Sequence, residues 1–244
     1  MPRDLIAART DLALLNARFA GRPSEAALAH ALSGELGPVA MVSSFGAESA
    51  VLLHMVAQAD PATPILFIDT LMLFPETLAY QRDLAARLGL RDIRVIQPDR
   101  RDLFAEDADA LLHRSRPDAC CALRKTRPLD RALAGFDGWI TGRKRFQGGA
   151  RADLDLFEGD PASGRIKVNP LAGWDARALA GYIDRHALPR HPLVARGYPS
   201  IGCAPCTGPA APGEDSRAGR WRGQDKTECG IHVVNGRVAR RLAS

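Results

Sequence analysis

The chain has 244 residues, of which 46% are hydrophobic, 25% charged and 6% aromatic, a composition that excludes a disordered chain, a collagen and a coiled coil. No apolar run approaches the ~20 residues needed to cross a bilayer, so a membrane-spanning helix is excluded. The first eleven residues lack an uninterrupted apolar stretch, and we therefore expect no signal peptide and a cytoplasmic protein. The formal net charge of +5 favours anionic partners in general but is weak support for nucleic-acid binding.

Apolar residues at helical spacing predict two N-terminal helices within about residues 4–33. From residue 38, short apolar runs alternate with amphipathic helices. The predicted strands are residues 39–42, 65–68, 93–96 and 138–141, and the helices after the first two strands end near residues 59 and 88. Such βα units predict an α/β fold with a doubly wound, mostly parallel sheet.

The pattern changes in the second half of the chain. Residues 154–157 and 166–168 are short apolar runs that can form a hairpin, and Asp175 can cap a helix that reaches residue 186. Residues 207–244 show little periodic apolar pattern. We therefore predict one domain over residues 1–206 and a mobile C-terminal tail.

A polar loop follows the first predicted strand. Its residues are Ser43, Ser44, Phe45, Gly46, Ala47, Glu48 and Ser49. Small residues before a helix N-terminus let backbone N–H groups approach an anion, and ligands of open α/β sheets bind at this edge. The Walker pattern is absent, and a plain strand-to-helix turn also explains the segment. Asp69 and Thr70 follow the second strand at the same edge.

The five cysteines divide into four and one. Cys120 and Cys121 are adjacent, and Cys203 and Cys206 form a Cys-x-x-Cys motif. Four thiolates suit an iron–sulfur cluster or a structural zinc, and the adjacent pair departs from the paired knuckles usual for zinc, which favours a cluster. Unligated core cysteines are the third interpretation.

The fifth cysteine, Cys229, lies alone in the tail. Lys226, His232 and the arginines Arg217, Arg220 and Arg222 are close to it in sequence. Cationic neighbours lower a thiol pKa and make it a nucleophile. A spare surface thiol is the alternative interpretation.

Together these segments resemble the phosphosulfate reductase family, and within it the iron–sulfur-containing adenylyl-sulfate (APS) reductases. The matching stretches are residues 44–49, 69–70, 73–77, 120–125, 141–142, 191–193, 197–207 and 228–232. The stretches with the two cysteine motifs and the final Glu-Cys-Gly-Ile-His are the most specific of these. The resemblance implies an adenine-nucleotide alpha-hydrolase-like fold.

The resemblance also implies a reaction, namely reduction of adenosine 5′-phosphosulfate to sulfite and AMP in sulfate assimilation and cysteine biosynthesis. The electrons would come from thioredoxin or a glutaredoxin-like reductant, and Cys229 would form an S-sulfocysteine intermediate. A [4Fe-4S] cluster with an electrostatic and structural role would be held by Cys120, Cys121, Cys203 and Cys206. Neither a membrane nor a nucleic acid is implied as a partner, and a homo-oligomer is compatible with the family.

The resemblance assigns the other site residues by position. The catalytic residues besides Cys229 would be Lys125, His232, Arg217 and Arg220. The substrate-binding residues would be Ser43, Ser44, Phe45, Gly46, Ser49, Asp69, Thr70, Gly142, Arg143, Lys144 and Arg145. The sequence departs from the family at Lys144, where an arginine is usual, and it lacks the acidic residue that normally follows.

Three rival functions remain open. A reductase of the 3′-phosphorylated substrate (PAPS), or of both substrates, is the nearest, although such enzymes usually lack the four cluster cysteines. An ATP pyrophosphatase that thiolates tRNA would explain the loop and the charge but not Cys229 in its motif. The third alternative is a non-catalytic binding module stabilised by zinc.

Overall fold

A computed structural model describes residues 10–160 and 163–224, together with the single residues 226, 228 and 231. Six strands form one sheet in the spatial order β3-β2-β1-β4-β6-β5. The strands are β1 (Val39–Ser43), β2 (Ile65–Ile68), β3 (Ile93–Ile96), β4 (Gly138–Ile140), β5 (Phe157–Gly159) and β6 (Ile166–Val168). All neighbouring pairs are parallel except β5 with β6.

Helices connect the strands and cover the sheet. The α-helices are α1 (Leu12–Phe19), α2 (Ser24–Leu32), α3 (Ser49–Ala59), α4 (Pro75–Leu88), α5 (Arg100–Glu106), α6 (Leu112–Ser115), α7 (Pro117–Cys121), α8 (Arg127–Ala132) and α9 (Ala176–Arg185). A π-helical turn (Ala122–Thr126) joins α7 to α8, and a 3₁₀ helix (Ala204–Cys206) carries the second cysteine pair. No helix in these ranges is long and apolar enough to cross a membrane.

The core forms because strands and helices bury long apolar runs between them. All four residues of β2 are buried, and α3 buries most of its length, including Val51 and Leu53 at no measurable exposure. The strand order reverses direction beside β1, so that β2 and β4 flank it on opposite sides. In open parallel sheets, the crevice at such a reversal is the usual ligand site.

The predicted fold class is confirmed. The strand prediction for residues 93–96 and the helix from Pro75 to Leu88 agree with the structure residue by residue. Asp175 caps α9 by accepting a hydrogen bond from the Ala178 N–H at 2.7 Å. The predicted hairpin is present. Its first strand begins at Phe157 rather than at residue 154, because residues 157–159 are the ones that pair with β6.

The predicted division at residue 206 stays a prediction, and residues on its two sides are in contact, since the Trp221 N–H donates to the Cys206 carbonyl at 3.0 Å. Thr207 pairs with Arg220 in a β-bridge, and Trp221 is buried at 3% exposure. Residues 207–224 therefore pack against the domain. The mobility expected of the tail stays a prediction. Residues 225, 227, 229, 230 and 232–244 lie outside the described part of the chain.

Candidate functional site

A cavity of about 220 Å³ opens at the carboxyl ends of β1, β2 and β4. Loops from all three strands and residues of the tail segment line it. The sequence-predicted residues in its lining are Ser43, Ser44, Gly46, Ser49, Thr70, Lys125, Gly142, Arg143, Lys144, Cys203, Arg217 and Arg220. The topology thus brings together motifs that lie up to 177 residues apart in sequence, from Ser43 to Arg220.

The loop after β1 is tightly folded. Phe45 takes a positive φ of 48°, and its N–H donates to the Ser43 Oγ at 3.1 Å. A Cβ on Gly46 would lie 3.3 Å from the Ile201 carbonyl oxygen, so the close approach of these two loops favours glycine. Leu71 and Trp221, in the two neighbouring loops, also take positive φ. Such strained residues cluster at functional sites.

The loop after β2 connects the cavity to the cysteines. The Thr70 Oγ1 lies 3.2 Å from the Cys203 Sγ, and Cys203 pairs with Leu73 in a β-bridge. The Arg124 guanidinium donates to the Thr70 carbonyl at 3.1 Å. Its buried ion pair with Asp107, at 2.6 Å, holds this guanidinium in place. These contacts join the loop after β2 and the cysteine segments into one wall of the cavity.

The four cysteines predicted as cluster ligands lie next to this wall, and one of them, Cys203, also lines the cavity. Cys120, Cys121 and Cys203 are 6–7% exposed, Cys206 is half-buried, and all four are free thiols. Burial, followed by the neighbouring Cys121, raises the pKa of Cys120 to about 12. Burial also raises the pKa of Cys206, with a further contribution from Cys203 and an opposing one from Lys125.

The donor set fits a cluster by its chemistry, since it consists of four soft thiols. Within the described residues, no group of three or more His, Cys, Asp or Glu side chains is placed to hold a metal ion. A cubane carries its cysteines on different iron atoms, so its ligands stand farther apart than those of a single ion. After burial and Cys121, the charge of Cys203 also raises the pKa of Cys120, so the two cysteine pairs lie near each other.

Two predicted phosphate ligands are buried with carboxylate partners. Arg143 is 3% exposed and donates to Glu158 and, at 3.1 Å, to the Asn169 Oδ1. Lys144 is 4% exposed, and its Nζ lies 2.6 Å from the Glu48 carboxylate. Burial lowers the pKa of Lys144, and the Glu48 charge opposes that shift. Both cations line the cavity while each neutralises an internal carboxylate.

Lys125 and Arg220 also line the cavity, and both lie close to Cys206. The charges of both side chains lower the pKa of Cys206. The Arg220 guanidinium carbon lies 4.4 Å from the centre of the Trp221 ring, and its buried Nε has no hydrogen-bond partner among the described residues. Buried N–H groups are nearly always paired, so this donor indicates where an anionic ligand would bind.

Arg217 belongs to a pair of arginines that share one carboxylate. The Glu228 carboxylate lies 2.6 Å from the Arg151 Nε and 3.3 Å from the Arg217 guanidinium. Glu228 and Ile231 both line the cavity. The predicted nucleophile Cys229 and the predicted catalytic residue His232 lie outside the described residues. Glu228, directly before Cys229, and Ile231, two residues after it, are the members of this segment that line the cavity.

Six of the predicted site residues that the structure describes do not line the cavity. Phe45 is fully buried with its ring 5.3 Å from that of Phe67, and Asp69 accepts from the Leu71 N–H at 2.9 Å and from Gln97. Arg145 is exposed and donates to the Leu154 carbonyl. The other three are Cys120, Cys121 and Cys206. Roles in substrate binding for Phe45, Asp69 and Arg145 stay predictions.

Several lining residues were not selected from the sequence. Glu48, Arg151, Trp221, Glu228 and Ile231 all belong to the cavity wall. Glu48 and Glu228 lie within the motifs quoted above, and acidic residues there would have been recognisable as partners for the arginine-rich segments. For Trp221 the sequence carries no comparable signal.

Comparison with known proteins agrees with this geometry. Residues 38–209 match the model of the phosphoadenosine phosphosulfate reductase domain. The chain is 54% identical to the adenosine 5′-phosphosulfate reductase of Mesorhizobium japonicum, with 80% of this chain and 76% of that protein covered. It is 48% identical to the enzyme of the same name from a Chelativorans species, with 90% and 89% covered.

A solved structure is similar over most of the chain. The crystal structure of phosphoadenylyl-sulfate (PAPS) reductase from Candida auris, a phosphate complex, superimposes with a TM-score of 0.70 at 28% identity, and the match covers 81% of this chain and 96% of that one. A match over residues 38–209, more than half of the chain, together with relatives at 54% and 48% identity, places this protein in the phosphoadenosine phosphosulfate reductase family of enzymes.

Proposed function

We propose that the chain reduces adenosine 5′-phosphosulfate to sulfite and AMP with electrons from thioredoxin. The observation that carries the proposal is that one cavity is lined by the polar loop after β1, by Lys125 and Arg220, by Cys203, and by the residues on both sides of Cys229. The relatives named adenosine 5′-phosphosulfate reductase support this substrate over its 3′-phosphorylated form.

The loop after β1 would hold the nucleotide phosphate, and the cations would hold the phosphosulfate. Backbone N–H groups at the start of α3 face this edge of the sheet and favour an anion. As the sulfur–oxygen bond breaks, negative charge grows on the leaving phosphate. Lys125 and Arg220 line the cavity on the side next to the cysteines, where they can stabilise that charge.

The chemistry would proceed in two transfers. The Cys229 thiolate attacks the sulfate sulfur, an S–S bond forms, and the S–O bond to the phosphate breaks with its electron pair leaving on AMP. A thioredoxin thiolate then attacks the Cys229 Sγ and expels sulfite, which leaves a mixed disulfide. The second thioredoxin thiol resolves this disulfide, so that the two electrons that reduce the sulfur come from the thioredoxin dithiol.

Cys120, Cys121, Cys203 and Cys206 would hold a [4Fe-4S] cluster. When bound, the cluster would supply charge and rigidity next to the cavity rather than electrons, since thiols account for both electrons. Two observations support this role: the buried Thr70–Cys203 contact, and Lys125, which lines the cavity and lies close enough to Cys206 to lower its pKa. The cytoplasmic location and the lack of a nucleic-acid partner stay predictions.

The decisive experiment traps the intermediate. The protein is incubated with adenosine 5′-phosphosulfate without thioredoxin, and peptide mapping then locates the added sulfonate. We expect one group on Cys229, released as sulfite by reduced thioredoxin. Cys229→Ser should bind AMP normally but form no adduct, because a hydroxyl is a much weaker nucleophile than a thiolate. An adduct on another cysteine, or steady sulfite production by the serine variant, would refute the mechanism.

The cluster has its own test. Anaerobically purified protein should be brown and contain about four iron atoms per chain. Cys121→Ser and Cys203→Ser should lose iron and activity together, because each removes one of four ligands. Colourless wild-type protein containing zinc, or a serine variant with full iron and normal turnover, would overturn the ligand assignment. Comparing kcat/KM for the two nucleotides decides between the substrates.

A further inference from the structure

The segment around Cys229 contacts the domain at three described points. Lys226 forms an ion pair with Asp118, which precedes the adjacent cysteines on α7. Glu228 pairs with Arg151 and Arg217, and Ile231 packs against the hydrophobic cluster that contains Ile68 and Trp139. The contacts therefore involve three different parts of the fold: α7, a pair of arginines and a hydrophobic cluster.

The three contacts differ in burial. The Lys226 side chain is 2% exposed but its partner Asp118 is 68% exposed, so this ion pair is accessible to water on one side. The Glu228 and Arg151 side chains are only 9% and 10% exposed. Exposed pairs contribute little to stability, whereas removing one partner of a buried pair is costly. Glu228 is therefore the strongest polar anchor of this segment.

Chain connectivity ties the proposed nucleophile, Cys229, to its neighbour Glu228. Cys229 follows Glu228 directly, and adjacent Cα atoms are separated by about 3.8 Å. The three peptide units from Glu228 to Ile231 span at most about 11 Å. Glu228 and Ile231 both line the cavity, so the proposed nucleophile is bonded directly to a residue of the cavity wall.

We infer that Glu228 is a positioning residue for the proposed nucleophile, because its ion pairs with Arg151 and Arg217 fix the residue before Cys229 at the cavity wall. Lys226 and Asp118 form a weaker second anchor. This inference rests on the proposed function. The same two arginines line the cavity, so Glu228 and an anionic substrate share them. The consequence is that loss of the Glu228 charge slows sulfonate transfer without weakening nucleotide binding.

The test is a single-turnover measurement on the full chain, purified anaerobically. Glu228→Gln keeps the size of the side chain and removes its charge. We expect adduct formation on Cys229 to slow by about 10- to 100-fold, since misplacing a reacting group by about 1 Å can cost that much. AMP affinity and KM should stay the same or improve, because the arginines lose a competing carboxylate. An increased KM at unchanged kcat, or an unchanged adduct rate, would overturn the inference.

The second anchor allows a charge exchange that avoids the cavity. Asp118→Lys alone should slow adduct formation about two- to fivefold, as expected for a partly exposed pair. Combining it with Lys226→Asp should restore the rate, and failure of the exchanged pair to do so contradicts a positioning role for this anchor. This exchange also provides a readout if Glu228→Gln does not fold.

A matched control removes a tail ion pair that faces away from the cavity. Glu214 pairs with Arg222 at 2.8 Å, and neither residue lines the cavity. Glu214→Gln should form the adduct at the wild-type rate, and slowing comparable to that of Glu228→Gln would show that any lost tail charge has this effect. If the wild-type protein forms no adduct, the proposed function fails and the inference fails with it. Equal rates in wild type and Glu228→Gln reject the inference alone.

Discussion

Two groups of cations line the same cavity and differ in their partners. The loop cations, Arg143 and Lys144, are buried and each contacts a carboxylate, Glu158 or Glu48. The cysteine-side cations, Lys125 and Arg220, lie near Cys206, and the Arg220 Nε lacks a partner among the described residues. Each loop cation is therefore neutralised by a nearby carboxylate, whereas the Arg220 guanidinium keeps one buried donor that no described residue accepts.

This difference teaches how a cation-rich cavity divides its work. A buried cation is costly unless it is paired, and a close carboxylate reduces its attraction for a ligand anion. The loop cations therefore shape and stabilise the wall, whereas Arg220, with its unpaired buried donor, is suited to charge that develops during the reaction. Variants of the two groups should consequently differ in what they damage.

The largest effect is expected from Lys125. Lys125→Ala should retain iron but lose transition-state stabilisation of about 3 kcal/mol, a decrease in kcat of roughly 100-fold. Iron content and kcat measured on the same preparation check this. A wild-type rate would make Lys125 a structural cation like those of the other group.

Arg220 should rank second. Arg220→Ala should lower kcat/KM roughly 30-fold, because a charged donor that lines the cavity is removed. This corresponds to a loss of about 2 kcal/mol of transition-state stabilisation. The stability of this variant to urea should change little, since the Nε has no partner to lose. A large loss of stability with normal kcat/KM would place Arg220 with the loop cations.

Gly202 offers a subtler version of this test. A Cβ at Gly202 would overlap the Arg220 guanidinium, so Gly202→Ala should displace this group without removing its charge. We expect a decrease in kcat/KM smaller than that of Arg220→Ala. A Cβ at Gly173 would meet no atom within 4 Å, and the φ of this glycine is not positive. Gly173→Ala is therefore the matched control, expected to be fully active.

The sequence predicts the elements of this cavity better than the pairing within it. The strands and helices up to residue 96 follow from local apolar patterns, and the cysteine motifs were recognisable from spacing alone. Arg143 and Lys144 were predicted to contact phosphate, but Lys144 pairs with Glu48, 96 residues earlier in the chain. Such partners depend on how the β1 and β4 loops meet, which local patterns do not encode.

The pairing of Lys144 with Glu48 gives the next prediction. Glu48→Gln leaves a buried ammonium without its counter-ion and should lower the free energy of unfolding by about 2 kcal/mol, less than a fully buried pair because Glu48 is 28% exposed. Adding Lys144→Met should recover most of this loss, since it removes the unpaired charge. Urea unfolding of the single and double variants measures both values. Equal stability of Glu48→Gln and wild type would show that this pair is not needed.

The smallest effect concerns His191, a buried titratable group that contacts no carboxylate among the residues that the structure describes. Its Nδ1 accepts from the Leu193 N–H at 3.1 Å, so its Nε2–H is free to donate to the Thr77 Oγ1 at 3.0 Å. This arrangement requires the neutral ring. Burial lowers the pKa of His191 to about 4, against an ordinary value of 6.5.

Because this pKa is lower in the folded state, the unfolded chain binds a proton first as the pH falls below 6.5. The contribution of His191 is therefore fully present above pH 6.5 and is lost progressively towards pH 4. Between pH 7.5 and 5.5 the free energy of unfolding should fall by about 1 kcal/mol from this residue alone. His191→Asn keeps an acceptor for the Leu193 N–H but cannot titrate, so the difference in unfolding free energy between wild type and this variant should shrink by that amount over the same interval. Urea unfolding at the two pH values measures it, and a difference that stays constant would mean that the proton is taken up equally in the folded and unfolded states.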